Sequence, residues 1–266
     1  MRDRKVPALE GVECKLEKLK LSDAGKKDIK IGKKQACSPT MGKLQAVGKL
    51  FSERPAKSEY LGRTLAGVWC PFSRVECKDM GRNQFLFTFH EEASKKKALQ
   101  NGPWMFNKNL LVMEDFVPSN TIDEYDFKMI PIWIRAYGIP MGMMSMETGD
   151  LLGEQIGEVL DVDLDDDGNA MGEFMRIKVR MDITSPIMRF VTLELEEDEE
   201  DQRHVHEEMM GDDEEDKEGK KRKKEKIVSF KYEHLPDFCY SCGIIGHIEK
   251  ACPTKTRREG ARQFGP

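Results

Sequence analysis

Asn83-Gln84-Phe85-Leu86-Phe87-Thr88-Phe89-His90 alternates three rings with smaller or polar side chains. On a strand, successive side chains point to opposite faces, so Phe85, Phe87 and Phe89 share a core face and Gln84, Leu86 and Thr88 the other. Gly81-Arg82-Asn83 before it is a turn, and Arg74–Met80 reads as the partner strand. Further upstream, Tyr60, Leu61, Leu65, Val68 and Trp69 fit one helical stripe, preceded by an apolar stretch with Leu44, Val47, Leu50 and Phe51. Downstream, Glu91–Gln100 is a charged helix closed by Asn101-Gly102, and Asn109–Phe116 is another strand. The order β-α-β-β-α-β predicts an α+β fold of the ferredoxin-like, split-βαβ kind for residues 44–117.

Residues 118–195 predict a second α+β subdomain, a half-domain by its element count. Ile130, Ile132 and Ile134 alternate into a strand, broken at Tyr137-Gly138-Ile139-Pro140. Met146–Gly157 reads as a helix with Leu151, Leu152 and Ile156 inward. Val159–Leu164, Phe174–Ile183 and Phe190–Leu195 read as strands. Arg176, Lys178 and Arg180 alternate with Ile177 and Val179; this basic parity either faces a phosphate backbone or is a charged, exposed sheet face that Asp163, Asp165 and nearby acids neutralise.

Near the C-terminus, Cys239, Cys242, His247 and Cys252 form a C-x2-C-x4-H-x4-C array. Three thiolates and one imidazole make a closed tetrahedral shell for one Zn²⁺, with no open position for a catalytic water. Gly243 and Gly246 suit steps that need positive φ or close backbone approach to a metal. A short strand, Val228–Tyr232, and His234–Phe238 lead into this array, which defines a segment 227–253.

Cys239 to Pro253 resembles a zinc knuckle of the retroviral nucleocapsid type, a module of single-stranded nucleic-acid-binding proteins. The resemblance implies that Tyr240, after the first cysteine, and Ile248, after the histidine, form an apolar platform for an unpaired base. Stacking of a base on a ring contributes roughly 1–3 kcal/mol and tolerates sequence variation. Where such knuckles often carry a basic residue between the glycines, this chain has Ile244 and Ile245. Either Ile244 extends the platform or it packs against a neighbouring part of the protein.

A broader resemblance rests on Leu-Phe-Ser-Glu-Arg-Pro (50–55), the helix ending in Trp69, Phe85–Phe89, Asn-Gly-Pro-Trp (101–104) and Pro-Ile-Trp-Ile-Arg-Ala-Tyr-Gly-Ile-Pro (131–140). These are similar to a plant domain-of-unknown-function family that precedes a zinc knuckle in gag-like proteins of non-LTR retrotransposons and in host genes descended from them. The implied fold resembles an RNA recognition motif, whose third strand presents rings to bases. The matching positions here are Gln84 and Leu86, and all three phenylalanines have the opposite parity. The stripe is therefore read as packing, and the domain is given no sequence readout.

The net charge of −5 over 266 residues hides segregation into blocks. Residues 1–40 carry 11 basic and 6 acidic side chains, residues 196–216 carry 1 and 13, and residues 217–266 carry 13 and 6. The expected plan is a basic, mostly disordered arm (1–43), the two α+β regions, an acidic then basic disordered linker (196–226), the knuckle segment and a basic tail (254–266). Cations flank the knuckle on both sides: Lys220, Lys221, Arg222, Lys223, Lys224 and Lys226 before it, Lys250 within it, Arg257 and Arg258 after it. These are the expected phosphate contacts; the first run also suits nuclear localisation, with a cytoplasmic pool besides, its alternative being an ordinary solvated tether.

No run of eighteen apolar residues predicts a membrane helix. Asp163-Leu-Asp-Asp-Asp-Gly168 opens like an EF-hand loop, but its twelfth position is Phe174 and strands flank it, so calcium is not expected. No phosphate loop or nucleophile elbow is present, and an enzyme is not expected. The sequence thus points to a zinc-dependent protein binding single-stranded RNA or DNA, gag-like or domesticated from such an element, with 44–195 as a scaffold open to self-association. The alternative is a protein-interaction adaptor whose knuckle is purely structural.

Overall fold

Two five-stranded antiparallel sheets of the same design make up the folded body. The computed structural model describes residues 44–70, 73–195, 224–253 and 264. The expected N-terminal arm lies outside them. The first sheet is built from β1 (Leu44–Leu50), α1 (Ser58–Trp69), β2 (Val75–Gly81), β3 (Gln84–Phe89), α2 (Glu92–Gln100), β4 (Trp104–Phe106) and β5 (Asn109–Asp115). Its strands lie in the order β2-β3-β1-β5-β4. This is the expected split-βαβ arrangement, with β4 added as a short hairpin partner of β5.

The three phenylalanines of β3 are buried with Leu61, Leu65 and Trp69 of α1. The Trp69 ring sits edge-on to Phe87 and Trp104, with centroids 5.3 and 5.6 Å apart. Leu61, Leu65 and Trp69, spaced by four, are buried in this core; Tyr60 and Val68 flank the stripe and stay exposed.

The other face of the first sheet is covered as well. Val47 pairs with Leu86 and Lys49 with Val112, so these side chains share a face across three strands. Val47 and Val112 are buried, and Leu86 packs with them in a cluster that includes Tyr125 and Phe127. Those two rings come from the segment after β5. The Phe127 amide donates to the Glu114 carboxylate, and the Tyr125 hydroxyl accepts from the Val117 amide at 2.9 Å. A strap of chain therefore lies over the face that Gln84 and Leu86 line.

The second sheet comprises β6 (Met129–Tyr137), α3 (Met146–Glu154), β7 (Gly157–Val162), β8 (Phe174–Asp182), β9 (Phe190–Leu195) and β10 (Lys224–Tyr232). Its order, β7-β8-β6-β10-β9, repeats that of the first, with β6 in the place of β1, α3 of α1 and β10 of β5. The counterpart of α2 is missing: residues 183–189 join β8 to β9 without a helix. Helix α3 lies close on its sheet because it turns glycine inward; a Cβ on Gly153 would come within 2.6 Å of Val159 Cγ2.

Two expected boundaries shift. The second subdomain does not end at residue 195, because β10 lies between β6 and β9 and completes the sheet. The strand expected at Val228–Tyr232 begins at Lys224, so the boundary drawn at 226 falls inside it. The cause is backbone pairing: Lys224 faces Leu195 and Ile227 faces Thr192, and those ladder bonds outweigh the charged composition. Residues 196–223, outside the described set, fall in sequence between two strands that pair with each other.

Candidate metal centre and nucleic-acid interface

The chain leaves β10 under tight control. The Glu233 amide donates to the Trp133 carbonyl at 2.8 Å, which keeps it in register with β6. The Glu233 carboxylate accepts from Arg135 Nε at 2.7 Å and from Arg176 at 3.0 and 2.9 Å. Hydrogen bonds from Arg176 and then Arg135 hold this carboxyl down at about 2, against the cost of burial. Next to it, the Tyr232 hydroxyl donates to the Met188 carbonyl at 2.7 Å.

Backbone bonds then shape a small loop. Cys239 N donates to Ile244 O at 2.9 Å and Gly243 N to Cys239 O at 2.7 Å. Gly243 and Gly246 adopt φ of +76° and +93°, as expected for turns that bring a chain around an ion. A single 3-10 turn, Glu249–Ala251, carries the chain back so that Cys252 meets the first two cysteines.

The ligand atoms of Cys239, Cys242, His247 and Cys252 all lie within 4.8 Å of one another. Cys242 Sγ and His247 Nε2 are 3.4 Å apart. Burial, and then the neighbouring thiols, push the Cys242 thiol up, and a divalent cation would reverse that shift. Three sulfurs and one imidazole nitrogen converging on one point fit a single Zn²⁺ in a closed shell. The segment is a CCHC zinc knuckle.

Comparison with known proteins agrees with this geometry. Residues 218–254 match the zinc knuckle family, and residues 43–124 match a domain of unknown function, DUF4283. An uncharacterized protein of Arabidopsis thaliana is 22% identical over 156 residues, covering 59% of this chain. The chain spans 41% of that relative's length. Among solved structures, the first two RNA-recognition domains of yeast poly(U)-binding protein Pub1 align over 71% of this chain and 98% of theirs, at 11% identity and a TM-score of 0.21. The Sex-lethal RNA-recognition domains 1 and 2 of Drosophila melanogaster align over 52% and 85%, at 9% identity and a TM-score of 0.24. The fold itself is assigned from the strand order.

The knuckle places its candidate platform on the outside. Tyr240 is 41% exposed and Ile248 56% exposed. The Tyr240 ring stands edge-on to Phe238 at 5.1 Å, which props it from behind. Lys250 is exposed beside Ile248. Ile245 is buried in the main apolar cluster, where Leu235 and Phe238 also pack, and Ile244 is half-buried. A groove of about 440 Å³ opens next to Ile248, between the knuckle and the first sheet, with Arg54, Met105, Lys108 and His247 among its walls.

The remaining predicted cations divide differently. Lys226 is exposed but lies on β10 opposite Leu193, away from the metal loop in sequence and in pairing. Lys224 begins that strand. Lys220, Lys221, Arg222, Lys223, Arg257 and Arg258 lie outside the described residues. Gln84 is buried and Leu86 partly buried on the face that the strap covers.

Sequence reasoning passed over the polar parity of β6. Trp133, Arg135 and Tyr137 share one face with Arg176 and Lys178 of β8. The Arg176 guanidinium lies 4.1 Å from the Trp133 ring centre, and that of Arg135 lies 4.7 Å from Phe174. The alternation of Ile130, Ile132 and Ile134 already implied this face, but only its apolar half was read.

Proposed function

We propose that this chain binds single-stranded nucleic acid through its zinc knuckle and performs no catalysis itself. The observation that carries this reading is the outward placement of Tyr240 and Ile248 on the metal loop, while Leu235, Phe238 and Ile245 turn into the body. A ring and a branched side chain held rigidly in water around a closed metal shell are what an unstacked base needs. Zinc supplies no chemistry here beyond fixing the loop, since all four positions are taken by protein. In this reading Lys250, exposed two residues after Ile248, meets a phosphate next to the stacked base. The groove beside Ile248, with Arg54 and Lys108 on its far wall, offers the strand a way out.

The basic run Lys220–Lys226 supports a nuclear location as part of the same reading. The joint presence of the DUF4283 and knuckle matches supports a gag-like protein or a host protein derived from one.

Fluorescence anisotropy with a labelled single strand tests the proposal. Tyr240→Ala weakens binding by roughly 1–3 kcal/mol, and unchanged affinity overturns the assignment. The burial of Ile245 favours a second reading, in which the knuckle is an internal brace of a protein-binding adaptor. Salt separates the two, because phosphate contacts weaken steeply with rising salt and apolar protein docking does not.

A further inference from the structure

The two sheets repeat one topology, but their outer faces differ. That of the first sheet is sealed by Tyr125 and Phe127. That of the second carries rings and cations in rows. Phe174 of β8 pairs with Tyr137 of β6, Tyr137 with Ser229 of β10, and Ser229 with Phe190 of β9. These four positions form one row across the sheet, and the Tyr137 and Phe174 centroids are 5.2 Å apart. The next row is Arg176, Arg135 and Lys231, in register with one another. Beyond it stand Lys178 and Trp133, with Glu233 following on β10.

The face is open where it matters. Phe190 is 65% exposed, and Lys231 is exposed with its ammonium 4.4 Å from the Tyr137 ring centre. The side chains of Arg135 and Arg176 retain 43% and 33% of their surface. Glu233 is shared by both arginines, and Asp163 reaches Arg176 from the sheet edge at 3.3 Å. Those carboxylates and the rings hold the guanidinium planes in place, ready to be stacked upon. At the far end, the Lys178 ammonium donates to the Asn101 side-chain oxygen at 3.2 Å.

We infer that the open face of β8, β6, β10 and β9 is a second contact surface for single-stranded nucleic acid, extending the footprint of the knuckle. The inference rests on the nucleic-acid reading proposed above for the knuckle. Three features select this occupant. Rings and guanidinium planes accept bases whatever their identity. Arg135, Arg176 and Lys231 lie one strand spacing apart, about 5 Å, along a line that a phosphate chain can follow. The third feature is continuity: β10 runs directly through Glu233 into the knuckle, so one strand can lie on both.

The test uses the full chain with zinc bound and two labelled oligo(U) strands, one of about six nucleotides and one of about twenty. Phe190→Ser combined with Tyr137→Ser is expected to weaken the long strand about 5- to 150-fold while leaving the short strand, held by the knuckle, unchanged. Tyr240→Ala is expected to weaken both. Phe190→Ser alone changes a mostly exposed side chain, so its smaller loss remains readable if the double variant fails to fold. Long-strand affinity equal to wild type in the folded variants overturns the inference. So does self-association that these variants abolish while strand affinity stays intact, since the face then serves a second copy of the chain. Loss of affinity in the ring-row variants with none in Tyr240→Ala keeps this inference and rejects the knuckle platform.

Discussion

The Ile187 amide donates to the Gly243 carbonyl at 3.0 Å, which ties the loop between β8 and β9 to the turn that shapes the metal site. With Ile245 buried in the same apolar cluster as Ile187, the knuckle is part of the second sheet's packing and not a bead on a string. Folding of the metal loop and of that sheet are therefore coupled.

Zinc removal is expected to reach beyond the knuckle. Because metal binding supplies most of a small zinc module's folding energy, chelation or Cys239→Ser takes away the partner of Ile187. Hydrogen exchange should then rise around 187–193 and 228–232, while α1 and β3 keep their protection. Unchanged exchange in β9 and β10 after chelation would show the knuckle to be independent.

Ile245→Ala tests the same contact without touching a ligand. Emptying this buried site is expected to cost about 2–4 kcal/mol in denaturant unfolding, with zinc stoichiometry retained at low denaturant.

Phe127→Ala is expected to destabilise the chain by about 3–5 kcal/mol, since the ring is fully buried over the first sheet. Single-strand affinity at saturating fold should not change. If opening the strap instead creates tighter binding, the covered face of β3 and β1 is a latent site.

Glu233 gives a pH dependence whose sign is fixed by its lowered carboxyl. An unfolded glutamate titrates near about 4.3, and the folded one is held at about 2 by the two arginines. Its stabilisation is therefore complete above the unfolded value and is lost as pH falls through the folded one. Thermal melts of wild type and Glu233→Gln should differ most near neutrality and converge toward pH 2. Zinc release on acidification acts on both proteins alike, so a gap that persists at the lowest pH would refute the ion pair's role.

The pairing of Leu195 with Lys224 predicts that residues 197–222 are dispensable for the fold. Replacing them with a two-residue turn should preserve circular dichroism and bound zinc. A chain cut at residue 195, by contrast, leaves β6 and β9 without β10 and should fail to complete the second sheet.

Much of this was legible from local pattern. Period-two alternation in Phe85–Phe89 and Ile130–Ile134, the helical spacing of Leu61, Leu65 and Trp69, and the four ligands with their glycines each carry their meaning within a few residues. Lys224–Ile227 did not, because its strand identity depends on a partner far earlier in the chain and its charges argue for solvent. Pairing supplied what composition denied.

The sequence by itself determined the α+β character, the first split-βαβ order and the identity of the metal ligands, since side-chain parity and donor spacing are local properties. Only the tertiary structure decided which surfaces remain open. It placed Phe127 over one sheet, Ile245 inside the body, and Phe190 on an open face. Such choices depend on long-range packing of apolar area, where residues distant in sequence compete for the same cover, and no short window records the outcome.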